Sequence, residues 1–199
     1  YRFPTLNDLY FLPGGNPDLK NESGWTYDAG ISFDFGSTKP FPFSIGGGVN
    51  WFDSHIDDWI IWLPTTKGFF SPRNVKKVHA YGIEGRLNMA FEPWKEWIFD
   101  INASYSWTPS INRGEKLSAA DQSVGKQLPY VPRHSASLTG RLSWKTWSFL
   151  YKWAYYSERF TMSSNDYTLT GNLPSYFMSN ISLEKSLRFK PVDLRLKFA

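Results

Sequence analysis

The chain has no cysteine, and only three histidines and three methionines among its 199 residues. Without cysteine there is no disulfide framework, although a secreted or envelope protein remains possible. His55, His79 and His134 are isolated in sequence, with no pair spaced i, i+4, so the spacing points to no histidine metal site. No run of about 18 apolar residues occurs, which excludes a membrane-spanning helix. Charge of one sign is also scarce. The net charge is only +4, and the lysines and arginines are scattered rather than gathered into a basic stripe, so no nucleic-acid partner is expected.

Aromatic side chains are abundant: 10 Trp, 11 Tyr and 16 Phe. A mean hydropathy of −0.42 would ordinarily suggest a soluble protein. A membrane barrel, however, dilutes its lipid face with an equally long polar lumen face. The pattern along the chain favours the barrel. From Trp25 to Phe35 every second residue is apolar, with Thr26, Asp28, Gly30, Ser32 and Asp34 between. The window matches the roughly 9–11 residues that a tilted strand needs to cross a bilayer, and exceeds the roughly 5–6 of soluble strands.

The same period of two returns seven times. It places strands over 43–51, 81–91, 97–107, 135–144, 147–155, 177–183 and 192–198. Short turns are expected at 36–42, 92–96, 145–146 and 186–191, and long connections at 53–74, 109–132 and 157–174. That alternation is the mark of short periplasmic turns and long extracellular loops. Across the two-residue link Lys145–Thr146, Trp144 and Trp147 should pair on one side. Phe35, Phe43, Phe91, Trp97, Trp144 and Trp147 would form a belt at the short-turn edge; Trp25, Trp51, Tyr81, Trp107 and Tyr155 would form one toward the long loops. Glu84, Arg86, Asp100, Arg141, Lys152, Asp193, Arg195 and Lys197 all fall on the polar side, where a wet or plugged lumen tolerates them. A soluble sandwich would hide its apolar face in one core and seldom needs several strands of this length.

The opening segment carries family information. Tyr1-Arg2-Phe3-Pro4-Thr5-Leu6, then Gly14-Gly15-Asn16-Pro17-Asp18-Leu19-Lys20 and Glu22 just before a strand, resembles TonB-dependent outer-membrane receptors. It departs at Asn21, where that family commonly has Pro. Ile56-Asp57-Asp58-Trp59-Ile60 also looks like the upper end of a strand in these receptors, and Tyr81-Gly82-Ile83-Glu84 like the start of the next. The resemblance implies an all-β fold: an antiparallel transmembrane β-barrel segment, about eight strands of a larger, about 22-stranded barrel with a plugged lumen. Residues 1–199 then read as part of one barrel domain truncated at both ends, with the plug domain and signal peptide before Tyr1 and the closing strands after Ala199.

The implied role is active uptake of a scarce nutrient across a bacterial outer membrane, with a ferric siderophore or cobalamin as cargo. The expected partners are outer-membrane lipid, the TonB energy-coupling protein acting through the plug, and a chelated metal or cobalamin-type ligand. No cofactor, catalytic residue or metal ligand is expected. Cargo would meet the long loops first. The 53–74 connection supplies His55, Asp57, Asp58, Trp59, Trp62, Phe69 and Phe70 as candidate contacts, because amphipathic aromatics give contact area at low entropy cost. Two rivals remain open. One is a passive small barrel of eight strands. The other is an outer-membrane protease or lipase using Asp53, His55, Asp57 and Asp58, although a solvated loop explains that cluster equally well.

Overall fold

The computed structural model describes residues 1–116, 119, 121–189 and 192–198. Alternation of apolar and polar residues is realised as one antiparallel sheet. Its elements are α1 (Leu6–Tyr10), β1 (Ser23–Ser37), β2 (Phe43–Pro64), β3 (Phe70–Trp94), β4 (Trp97–Trp107), β5 (Ser110–Asn112), β6 (His134–Trp144), β7 (Trp147–Tyr156), β8 (Arg159–Phe160), β9 (Asn172–Leu173), β10 (Tyr176–Phe189) and β11 (Val192–Phe198). Among the described residues the sheet order is β1-β2-β3-β4-β6-β7-β10-β11. The short β5 pairs with β3, and β8 with β9 makes a separate ladder. Among the described residues no helix is long and apolar enough to cross a membrane.

Register makes the two faces continuous across the sheet. One row runs Phe33, Gly47, Leu87, Ala103, Leu138, Trp153. Its neighbour, one residue along, runs Asp34, Gly46, Asn88, Asn102, Thr139, Lys152, Asn180. A slip of one residue in any pairing would put polar groups into the apolar row, so each register is strongly specified. Trp144 pairs with Trp147 as expected from the two-residue link.

Aromatic rings border the apolar face on both sides. At the short-turn edge Phe91 stacks on Phe99 at 4.7 Å and Trp97 on Trp144 at 5.7 Å; toward the long loops Tyr81 meets Trp107 edge-on at 5.8 Å. From Phe35 to Trp25 the strand rises about 34 Å, which at a tilt of about 40° stands about 26 Å tall, the height of the apolar band of a membrane barrel. Lys185 shares the aromatic face, but only at its rim. Its Nζ lies 4.3 Å from the Trp147 ring and donates to Thr146 Oγ1 at 2.7 Å, reaching past the belt.

The structure corrects the expected connections. Residues 53–74 are not a loop. β2 runs on to Pro64 and β3 starts at Phe70, leaving only the turn 65–69. Charge on the aromatic side after Trp51 marks where the apolar band stops, not where the strand stops. Above the belt the face that carried the rings turns to Asp53, His55 and Asp57, the other face is covered at Ile60 and Val78, and pairing continues without an alternating apolar stripe. The stretch 56–60 is strand, as its resemblance suggested. The turn expected at 186–191 is also shorter, because β10 reaches Phe189; residues 190 and 191 lie outside the described residues. The connections 109–132 and 157–174 carry β5 and the β8–β9 ladder.

A single sheet has no core of its own. Buried hydrophobic residues among those described are Ile60, Val78, Ile111, Leu128 and Phe160, all at the long-loop end, where connections fold onto the β2–β3 hairpin.

Candidate functional site

The β2–β3 hairpin overshoots the upper aromatic belt, and the segment before β1 is laced onto it. Thr5 caps α1 in a reciprocal box with Asp8: the Thr5 hydroxyl accepts from the Asp8 N–H, and the Thr5 N–H donates to the Asp8 carboxylate at 2.9 Å. The other Asp8 oxygen accepts from the Trp62 indole Nε1 at 2.9 Å, while Phe11 meets the Trp62 ring edge-on at 5.9 Å. Burial works to raise the Asp8 pKa, but the bonds from Thr5 and Trp62 and the charge of Arg2 outweigh it and hold the carboxyl below its ordinary value.

The rest of the opening motif extends this clasp. β1 ends its pairing with β2 at Ser23 opposite Asp57. Beyond that point the Ile60 N–H donates to Glu22 Oε1 at 2.9 Å, and Arg2 pairs with the same carboxylate. Asn74 bonds both backbone groups of Lys20, accepting from its N–H at 2.9 Å and donating to its carbonyl at 3.0 Å, and also donates to the Asp58 carbonyl. Asn16 Nδ2 donates to the Pro72 carbonyl at 3.1 Å. Gly14 is needed for contact, since a Cβ there would lie 2.1 Å from the Phe70 carbonyl oxygen. Arg2, Gly14, Asn16, Lys20 and Glu22 thus act as a fastener for the hairpin, a role invisible in the motif itself.

Each candidate contact has a definite place. His55, Asp57, Asp58, Trp59 and Trp62 lie on β2, Phe70 opens β3, and Phe69 is in the turn. They do not converge on one pocket. Trp62 is half-buried against α1 and its donor is engaged. Asp58 takes the left-handed conformation at φ 57° and its carbonyl is held by Asn74. Phe70 is 48% exposed at the tip beside Phe69. Reasoning from sequence missed Tyr130, Met162, Tyr167 and Leu169, exposed apolar residues on the two other long connections. Their signal was weak, being single residues among polar ones.

The histidines need a second correction. Isolated in sequence, His55 and His79 are directly opposed in the β2–β3 ladder. Their rings stack at 4.3 Å with 15° between planes. His55 Nε2 lies 2.7 Å from Asp53 Oδ1 and His79 Nε2 lies 2.9 Å from Asp53 Oδ2. The signal that could have found them is the turn 65–69: Lys67 lies midway between the two, and hairpin pairing about it sets them face to face.

On the opposite face, Asn50, Glu84, Arg86, Ser104 and Ser106 line a polar concavity with Gly30 and Gly48. The two-faced sheet has the proportions of a barrel wall, and its fastened upper hairpin those of a rim. The family described as "TonB dependent receptor-like, beta-barrel" matches residues 1–199. The chain belongs to this receptor family. A relative named vitamin B12 transporter BtuB from Photobacterium profundum is 29% identical over 189 residues, covering 90% of this chain. A second BtuB, from Vibrio vulnificus, is 34% identical over 85 residues, covering 42% of this chain. The chain spans 28% and 13% of the lengths of these relatives. Among solved structures, the copper transporter OprC superimposes with a TM-score of 0.63 at 16% identity, over 98% of this chain and 28% of that one. A mutant of the ferric enterobactin receptor PfeA from Pseudomonas aeruginosa gives 0.53 at 17%, over 87% of this chain and 25% of that one. These structural likenesses concern the fold. The family is one of outer-membrane β-barrel receptors and transporters rather than enzymes.

Proposed function

We propose that this chain forms wall and outer rim of a bacterial outer-membrane transporter that captures a scarce, chelated nutrient and passes it inward at the expense of energy delivered by TonB. In this reading residues 1–199 are part of one barrel domain, and a plug domain elsewhere in the receptor makes the TonB contact. The observation that carries it is the pairing of a continuous, mostly polar face with an aromatic-bordered apolar face in a chain of this family. The apolar face meets lipid, and the polar face, with Glu84 and Arg86, lines the cargo path.

The 29% likeness to a vitamin B12 transporter across 90% of the chain favours cobalamin over a ferric siderophore. Phe69 and Phe70 at the tip are the rim residues best disposed to touch cargo, because Asp57 follows His55 on the outward side of the sheet and Trp62 is engaged by the clasp. The test is uptake of labelled cobalamin and of ferric siderophores in a receptor-deletion strain complemented with the full receptor, intact or lacking 65–69. Cobalamin uptake that falls on removing the tip, while heat-modifiable gel mobility reports a folded barrel, supports the reading. Uptake of a siderophore alone replaces cobalamin as cargo. Transport that persists without an energised inner membrane overturns active uptake in favour of a passive pore.

A further inference from the structure

Asp53, His55 and His79 stand one step beyond Trp51 on the side of the sheet that carries the aromatic belt, away from the polar concavity. Register settles this: His55 is opposite Trp25 on one side and His79 on the other, and Asp53 lies between Tyr27 and Tyr81. The proposed cargo path therefore has no use for them. Their mutual geometry is nonetheless that of ligands. One nitrogen from each ring and one carboxylate oxygen all lie within 4.8 Å of one another. Ionised Asp53 can only accept, so each imidazole donates to it through a proton on Nε2. Moving that proton to Nδ1 turns both Nε2 lone pairs toward the point where the carboxylate already sits, with no change in net charge.

Rigidity favours this arrangement. All three residues come from one hairpin, two of them directly opposed in its ladder, so the cluster is complete within β2 and β3. The Tyr81 ring packs against His79 at 4.7 Å and is itself braced by Trp107. The side chains of Asp53 and His79 are 23% and 22% exposed, while that of His55 is 60% exposed and can swing. In tetrahedral coordination, bonds of about 2.0–2.2 Å put neighbouring donor atoms about 3.3 Å apart. The observed contacts, 2.7 Å from His55 to one Asp53 oxygen and 2.9 Å from His79 to the other, need to open by about half an ångström as the carboxylate turns one oxygen toward both nitrogens, which a rotation of the carboxylate and the exposed His55 allow.

We propose that Asp53, His55 and His79 form an outward-facing site for a divalent transition-metal ion of the zinc or copper class. Two imidazoles and one carboxylate suit such ions, whereas calcium and magnesium take oxygen donors. Three protein ligands leave a fourth position open to the outside, for water or an external oxygen donor. The site is separate from the cargo reading and stands or falls independently of it.

The test uses the full receptor in detergent, with zinc ion titrated calorimetrically. Wild type should bind one more zinc ion per barrel than the double variant His55→Gln/His79→Gln, and a large excess of calcium should not displace it. Asp53→Asn should weaken the site by at least about 10–100-fold, the loss that follows even from removing an outer-shell partner of a ligand. His134→Gln, removing a histidine that bonds Tyr105 instead, should change nothing. Equal zinc stoichiometry in wild type and double variant, or displacement by calcium, overturns the proposal. Should the variants fail to assemble, wild type alone decides. Zinc must protect His55 and His79, but not His134, from diethylpyrocarbonate as read by mass spectrometry, and unprotected His55 and His79 overturn the site.

Discussion

Trp62 and Asp8, 54 positions apart, share a 2.9 Å hydrogen bond that fixes α1 to the upper β2–β3 hairpin. Asp8 is the centre of this arrangement. It completes the Thr5 capping box, receives the indole N–H and lies 3.9 Å from the Arg2 guanidinium.

Asp8→Ala should therefore cost the clasp about 1–3 kcal/mol, the range for losing a helix cap together with bonds to a charged acceptor. Trp62→Phe, which removes one donor and keeps the ring, should cost about 1 kcal/mol. Hydrogen exchange of residues 1–22 is the readout, with unchanged exchange in β4, β6 and β7 as the control.

Acid should release the same segment. The folded-state pKa of Asp8 is lowered, so its contribution is fully present above the carboxylate's ordinary value of about 3.9 and is lost as pH falls through the lowered one. Exchange protection of residues 1–22 should hold from neutrality to about pH 4 and decline below it. In Asp8→Asn the step attributable to this group should vanish.

Gly14→Ala tests the close approach at the tip. A methyl group 2.1 Å from the Phe70 carbonyl cannot be accommodated without moving backbone. Limited proteolysis should then cut near residues 11–20, while the barrel strands remain protected.

The two faces should answer differently to charge. Leu138→Arg or Ile101→Arg, in apolar rows, should destabilise the assembled barrel by about 2–4 kcal/mol near the membrane midplane. Thr139→Arg, one residue away and opposite Asn102 and Lys152, should be much milder. Denaturant titration followed by gel mobility measures the difference; equal losses at the two positions would contradict the assignment of faces.

The strands that cross the apolar band were readable because each residue there answers to one of two solvents. β4, for instance, spans Trp97–Trp107, the window its alternation marked. Above the belt that constraint lapses: Asp53 and His55 continue β2 with nothing in their local pattern to say so. The clasp was legible only as a family likeness. Glu22 reveals its purpose when Ile60, 38 residues on, offers it an N–H. The Asp53, His55 and His79 grouping depends on pairing distance, which no spacing rule within a single strand encodes.

Glu22 also bears on life in a crowded membrane. Where β1 stops, the upper part of β2 would present bare backbone donors along a flat strand, a template onto which a neighbouring receptor could add its own strand. The carboxylate on Ile60 and the chain folded over it occupy that template with a partner from the same molecule. A receptor whose fastener has been undone would be expected to lose its solitary habit before it loses its barrel, with adjacent rims zipping into one another.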